Sequence, residues 1–139
     1  MTRYILITLL LSFSTRSVGQ LISNAYCGKD GKAHISYKNG TSVVVSPEPK
    51  QVGCDSVVVA NDGRTVGWTV LVDNCCTSYP IPLSVIVMKN GKSKVFSHVQ
   101  MVWKWRFVDD GKHLAVLWGP AHGWPSAATL YVSRSGKQL

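Results

Sequence analysis

Along Met101–Val108 the large side chains Met101, Trp103, Trp105 and Phe107 alternate with Val102, Lys104, Arg106 and Val108. A period of two predicts a β-strand that carries those four side chains on one face. Shorter runs of similar character occupy Ala33–Lys38, Thr41–Ser46, Ser56–Ala60, Arg64–Val72, Leu83–Lys89, Ser93–His98, His113–Trp118 and Ala128–Ser133. Between them stand Asn39-Gly40, Asn61-Asp62-Gly63, Asn90-Gly91, Asp109-Asp110-Gly111 and Ser135-Gly136. Such pairs tolerate positive φ and so close antiparallel hairpins. Pro47 and Pro49, which cannot donate to a strand ladder, end the first hairpin. No later stretch keeps an apolar period near 3.6, so the predicted fold is all-β, with eight or nine short antiparallel strands.

The first residues break this pattern. Arg3 precedes an apolar run from Tyr4 through Phe13, and Ser17-Val18-Gly19 sets small residues before Gln20. Residues 1–19 are therefore expected to be a secretory signal peptide, removed on export. The run is shorter than the roughly 18 apolar residues a membrane span needs, so no transmembrane segment is expected after cleavage. Residues 20–139 then form one all-β domain, long enough for a core but not for two. Export implies a secreted or periplasmic location, where four cysteines favour disulfides.

An internal repeat sharpens the fold. Val58-Val59-Ala60-Asn61-Asp62-Gly63-Arg64-Thr65-Val66-Gly67-Trp68 aligns with Arg106-Phe107-Val108-Asp109-Asp110-Gly111-Lys112-His113-Leu114-Ala115-Val116. Each copy continues through an irregular loop into a further strand closed by a glycine turn, Val87–Lys92 in one and Val132–Lys137 in the other. A strand leading into Asp-Gly-Lys/Arg, an apolar strand and a longer strand with a glycine turn resembles the TolB-type (WD-like) β-propeller repeat over Ser56–Leu139. The resemblance implies about two propeller-blade-like repeats plus an N-terminal hairpin. Two repeats are too few to close a ring of four or more blades, which implies an open packing or a homodimer through sheet edges. The run Cys-Cys-Thr-Ser-Tyr-Pro-Ile-Pro with a later His-Gly also resembles small bacterial exported proteins, a likeness that brings no activity with it.

The formal charge of +8 falls to +6 without Arg3 and Arg16. Most of the remaining cations flank turns and never form a block, the distribution of a soluble surface with lysines guarding strand edges. It also attracts anionic polymers of the cell envelope. Without a basic helix or a nucleic-acid motif, specific nucleic-acid binding is not expected.

Two connections carry the unusual chemistry, Asn74–Pro82 and Pro120–Ser126. They hold equivalent places in the two repeats, which predicts one shared side of the molecule. Thr77, Ser78, Tyr79, His122 and Trp124 are the candidate binding residues, because aromatic rings beside proline and serine suit a peptide, a glycan or an envelope protein. The structural alternative is that Tyr79 and Trp124 fold back onto the sheet and cap the core. Of the three possible pairings of Cys27, Cys54, Cys75 and Cys76, Cys27–Cys54 is preferred as a structural bridge, which leaves Cys75 and Cys76 as a pair of their own. A bond from either to Cys27 or Cys54 stays open. Adjacent cysteines are poorly spaced for tetrahedral zinc, so no metal is expected. Asp62, Asp109 and Asp110 sit in hairpin turns, where carboxylates bond local backbone. Nucleophile-elbow, metalloprotease and phosphate-cradling motifs are missing from the sequence. No catalytic residue or cofactor is predicted, and the expected function is a non-catalytic binding or structural protein of the cell envelope. The alternative is a redox- or metal-responsive protein acting through Cys75 and Cys76.

Overall fold

The computed structural model describes residues 19–139, so the expected signal peptide falls almost wholly outside the described residues. Ten strands follow one another: β1 (Ile22–Cys27), β2 (Ala33–Tyr37), β3 (Ser42–Val44), β4 (Gln51–Val59), β5 (Thr65–Val72), β6 (Ile81–Lys89), β7 (Lys92–Ser97), β8 (Met101–Val108), β9 (His113–Gly119) and β10 (Ala127–Val132). They form three sheets, β1-β2-β3, β4-β5-β6-β7 and β8-β9-β10, in which every neighbour is consecutive in sequence and antiparallel. Each sheet is a plain meander.

The sheets are layered, with the second in the middle. One of its faces contributes Val66, Trp68, Val70, Ile86 and Met88 to a cluster with Ile22, Ala33 and Ile35 of the first sheet. Its other face contributes Val85, Val87 and Phe96 to a cluster with Val102, Trp105, Leu114, Val116 and Trp118 of the third. Burial on both faces explains why β5 and β6 read as continuous apolar runs rather than alternating ones. Burying each large apolar side chain contributes about 1.5–3 kcal/mol. Gly67 makes the second interface possible, because a Cβ there would stand 2.9 Å from the Trp105 ring and 3.1 Å from the Phe107 ring. Those rings meet edge to face at 5.4 Å, and Trp105 Nε1 donates to Thr69 Oγ1 across the sheets at 2.9 Å.

A disulfide joins Cys27 at the end of β1 to Cys54 in β4, with Cα atoms 5.7 Å apart, and so ties the first sheet to the second. The repeat is visible in the pairing: β4-β5-β6 and β8-β9-β10 share the same succession, and Val66 and Trp68 occupy the places of Leu114 and Val116.

Two expectations need correction. Met101, Trp103, Trp105 and Phe107 do not share one face, because β8 bulges between Val102 and Lys104 and the alternation changes phase. Val102 and Trp105 are buried, while Trp103 stands 40% exposed. The N-terminal unit is also a three-stranded sheet rather than a hairpin. β1 adds to the outer side of β2 through Ala25↔Ile35 and Cys27↔Ala33.

Candidate functional site

Antiparallel connections alternate between the two ends of a meander, so the β5–β6 loop and the β7–β8 link lie at one end of the second sheet. The third sheet is aligned with it. Its β7–β8 link reaches the β9–β10 loop, where the His98 ring stacks on Trp118 at 5.3 Å and Gln100 exchanges hydrogen bonds of 2.6 and 2.9 Å with Ser126. At the far end, Gly111 of the β8–β9 turn lies against Ala60 and Thr65 of the β4–β5 turn. The strand directions therefore bring Asn74–Pro82 and Pro120–Ser126 to one end of the molecule, although no hydrogen bond joins the two loops among the described residues.

The first loop is built on Asn74. Its Oδ1 accepts from the Cys76 backbone N–H at 2.8 Å, and its Nδ2 donates to Thr77 Oγ1 at 2.8 Å. Thr77 Oγ1 in turn donates to the Tyr79 carbonyl at 2.6 Å, so this hydroxyl shapes the loop. An Asn side chain that satisfies the backbone two residues on is a familiar turn device. Ser78 and Tyr79 are left exposed, Tyr79 at 53%. Ile81 and Pro82, expected in the loop, belong to β6 and pair with Val72 and Leu71.

Cys75 and Cys76, expected to bond to each other, are both free, exposed thiols. The physical reason is local. A bond between adjacent cysteines strains the intervening peptide, whereas the Asn74 turn leaves the pair unbridged with the Cys76 N–H satisfied. A hydrogen bond with the Cys75 thiol pushes the exposed Cys76 thiol above its ordinary range. That lowers its thiolate fraction and with it its nucleophilic and metal-binding capacity at neutral pH.

The second loop is anchored by a residue that the periodicity misplaced. Released to the outside by the β8 bulge, Trp103 donates its indole N–H to the Pro120 carbonyl at 2.9 Å. Gly119 permits the approach, since a Cβ there would stand 2.6 Å from Trp103 Nε1 and 3.0 Å from Pro125 Cα. The Ser126 backbone N–H closes the loop on the Trp118 carbonyl at 2.9 Å. Beyond these ties, His122 is exposed and Trp124 stands 85% exposed. Neither Tyr79 nor Trp124 folds back to cap the core.

Among the described residues no three or more His, Cys, Asp or Glu side chains converge, and Cys76 and His122 join no such group. Sequence reasoning missed Trp103, Gln100 and His98 as supports of the second loop. Their only signal was proximity in sequence to a strand end, which a bulge makes unreadable. No family model matches the chain, and no curated protein or solved structure does so either.

Proposed function

We propose that the protein is a non-catalytic, exported binding domain of the cell envelope that meets its partner through the loop-bearing end. One observation carries this reading: an indole 85% exposed on a loop tied at its base by Trp103, Gly119, Gln100 and Ser126. A large apolar ring held in water by a braced loop is already organised for contact, so little ordering entropy is lost on binding. On this reading Ser78, Tyr79 and His122, exposed at the same end, add to the contact surface of Trp124, and Thr77 shapes its own loop. Neither loop contains lysine or arginine, which suits an uncharged ligand surface such as a sugar face or an apolar peptide segment. The Cys27–Cys54 bond fits an oxidising compartment, secreted or periplasmic.

The second and third meanders are read as two blade-like units stacked in the open manner of a propeller fragment, with free sheet edges available for a homodimer. The matching strand succession of the second and third sheets supports this. A redox- or metal-responsive role for Cys75 and Cys76 draws on their exposure, but the raised Cys76 thiol weighs against it.

The test is an array of envelope glycan fragments and peptides, with each ligand retained by the wild type measured again on Trp124→Ala. The expected result is a loss of at least tenfold in affinity with an unchanged thermal midpoint. Equal affinity in the variant, or no ligand retained by the wild type, would remove the reading.

A further inference from the structure

At the opposite end of the molecule a cleft of about 640 Å³ opens between the second and third sheets. One wall is the β6–β7 hairpin with Lys89, Lys92 and Lys94, and the other carries Lys112, Ser133 and Arg134. Its lining holds five cations and no carboxylate. The sheet itself sets Lys89 directly opposite Lys92, a like-charge pairing that the Asp62 carboxylate on Lys89 offsets only in part. Asp110, beside Gly111 of the lining, makes no ion pair among the described residues, and the other two nearby carboxylates are already paired. Asp62 is bound by Lys89 at 2.8 Å, and Asp109 by His113 at 2.8 Å. Among the described residues Lys92, Lys94, Lys112 and Arg134 have no acidic partner.

A second feature of the cleft is independent of charge. Ser133 is 5% exposed, and its Oγ is the buried side-chain oxygen left without a hydrogen-bond partner among the described residues. Leaving such a group unpaired destabilises the free protein. Its backbone N–H is already committed to the Lys112 carbonyl at 3.0 Å, which docks the β8–β9 turn on the end of β10. The Lys94 side chain lies close over Gly136. The walls are thus fixed without any ligand.

We propose that this cleft binds a small polyanion carrying two or more phosphate groups, with Ser133 donating to a phosphate oxygen and the lysines and Arg134 neutralising the charge. Lysine and arginine give strong, charge-assisted hydrogen bonds to phosphate. The volume lies in the range of small-molecule sites, roughly 300–1,000 Å³, and far exceeds the need of a single phosphate. The cations and Ser133 line the same cleft, and one multiply phosphorylated ligand answers both.

Isothermal titration of the full chain at about physiological salt uses myo-inositol hexakisphosphate as probe, with inorganic phosphate for comparison. One hexakisphosphate is expected per chain, with inorganic phosphate at least tenfold weaker. K112E/R134E changes two exposed side chains and is expected to lower affinity at least tenfold. Ser133→Ala, which removes a hydroxyl with no hydrogen-bond partner among the described residues, is expected to weaken binding three- to tenfold without lowering the thermal midpoint. Sedimentation with phosphatidylcholine vesicles carrying phosphatidylinositol 4,5-bisphosphate separates the sources. Retention competed away by hexakisphosphate assigns the phosphates to a lipid headgroup, and no retention assigns them to a soluble molecule. Absence of hexakisphosphate binding, or equal affinity in either variant, overturns the proposal, as does vesicle retention that survives K112E/R134E.

Discussion

Asp62 shows how much one turn residue holds. Its carboxylate accepts from the backbone N–H groups of Arg64 and Thr65 at 2.9 and 2.8 Å, from the Thr65 hydroxyl at 2.7 Å and from Lys89 at 2.8 Å. Burial pushes this carboxyl up, but the Lys89, Thr65 and Arg64 bonds outweigh it and bring the pKa from 3.8 down to about 2. A folded value below the unfolded one means that the group stabilises the fold above pH 3.8 and that this contribution is lost as pH falls through about 2. Urea midpoints measured across pH should therefore separate wild type from Asp62→Asn most widely above pH 4 and bring them together near pH 2. A constant gap over that range would contradict the assignment. Asp62→Ala should cost about 1–3 kcal/mol near neutrality, since buried hydrogen-bonding partners lose their acceptor. The local part of this role was legible, because Asp before Gly in a hairpin bonds backbone two and three residues on. The Lys89 bond was not, since it depends on which strand lies next to β5.

At the level of elements, turn chemistry marked most boundaries. The Asn-Gly and Asp-Gly pairs fall where strands reverse, and Asn90, Asp109 and Asp110 do adopt positive φ. Two kinds of element escaped. β1 is an edge strand whose residues, Ser23, Asn24 and Tyr26 among them, are exposed and carry no strict alternation. The β8 bulge leaves no mark in the sequence, because a one-residue change of phase between Val102 and Lys104 is fixed by what each face packs against. Trp105 is drawn inward by Gly67 and Thr69, and Trp103 outward by Pro120. The close approach at Gly67 sets a prediction. Gly67→Ala places a methyl 2.9 Å from the Trp105 ring and 3.1 Å from the Ile86 carbonyl, and overpacking of this kind costs about 1–3 kcal/mol. Thermal unfolding of the variant measures it, and a midpoint equal to wild type would show that the interface yields more than described. Trp103→Phe keeps the ring but loses the bond to Pro120. Amide exchange in residues 120–126 should accelerate at least tenfold, with exchange in β5 and β6 unchanged.

For the whole molecule, layering decides which parts depend on which. The second sheet is buried on both sides and shares its core with each neighbour, whereas the first sheet has a single buried face. That sheet is also small, and β3 is exposed along its length. The repeat made the second and third sheets readable as a pair, but nothing in it announced the first sheet, whose exposed edge strand β1 carries no alternation and leaves only the Asn39-Gly40 hairpin legible. This outer layer is held by its share of one apolar cluster, by hydrogen bonds such as Ile22 N–H to the Gly63 carbonyl and Gln51 Nε2 to the Gly31 carbonyl, and by the Cys27–Cys54 bond. That bond closes a loop of 27 residues, and a crosslink of this span stabilises by about 3–4 kcal/mol through the unfolded chain. Reduction should therefore act unevenly. Native protein without reductant should label at two thiols, Cys75 and Cys76, and at four after reduction and unfolding. After reduction, amides of β1 and β2 such as Ala25 and Ile35 should lose exchange protection first, while Trp68 and Ile86 in the middle layer keep theirs. If all three sheets lost protection together, the layers would be one cooperative unit, and the disulfide would stabilise the whole fold rather than clamp its outermost layer.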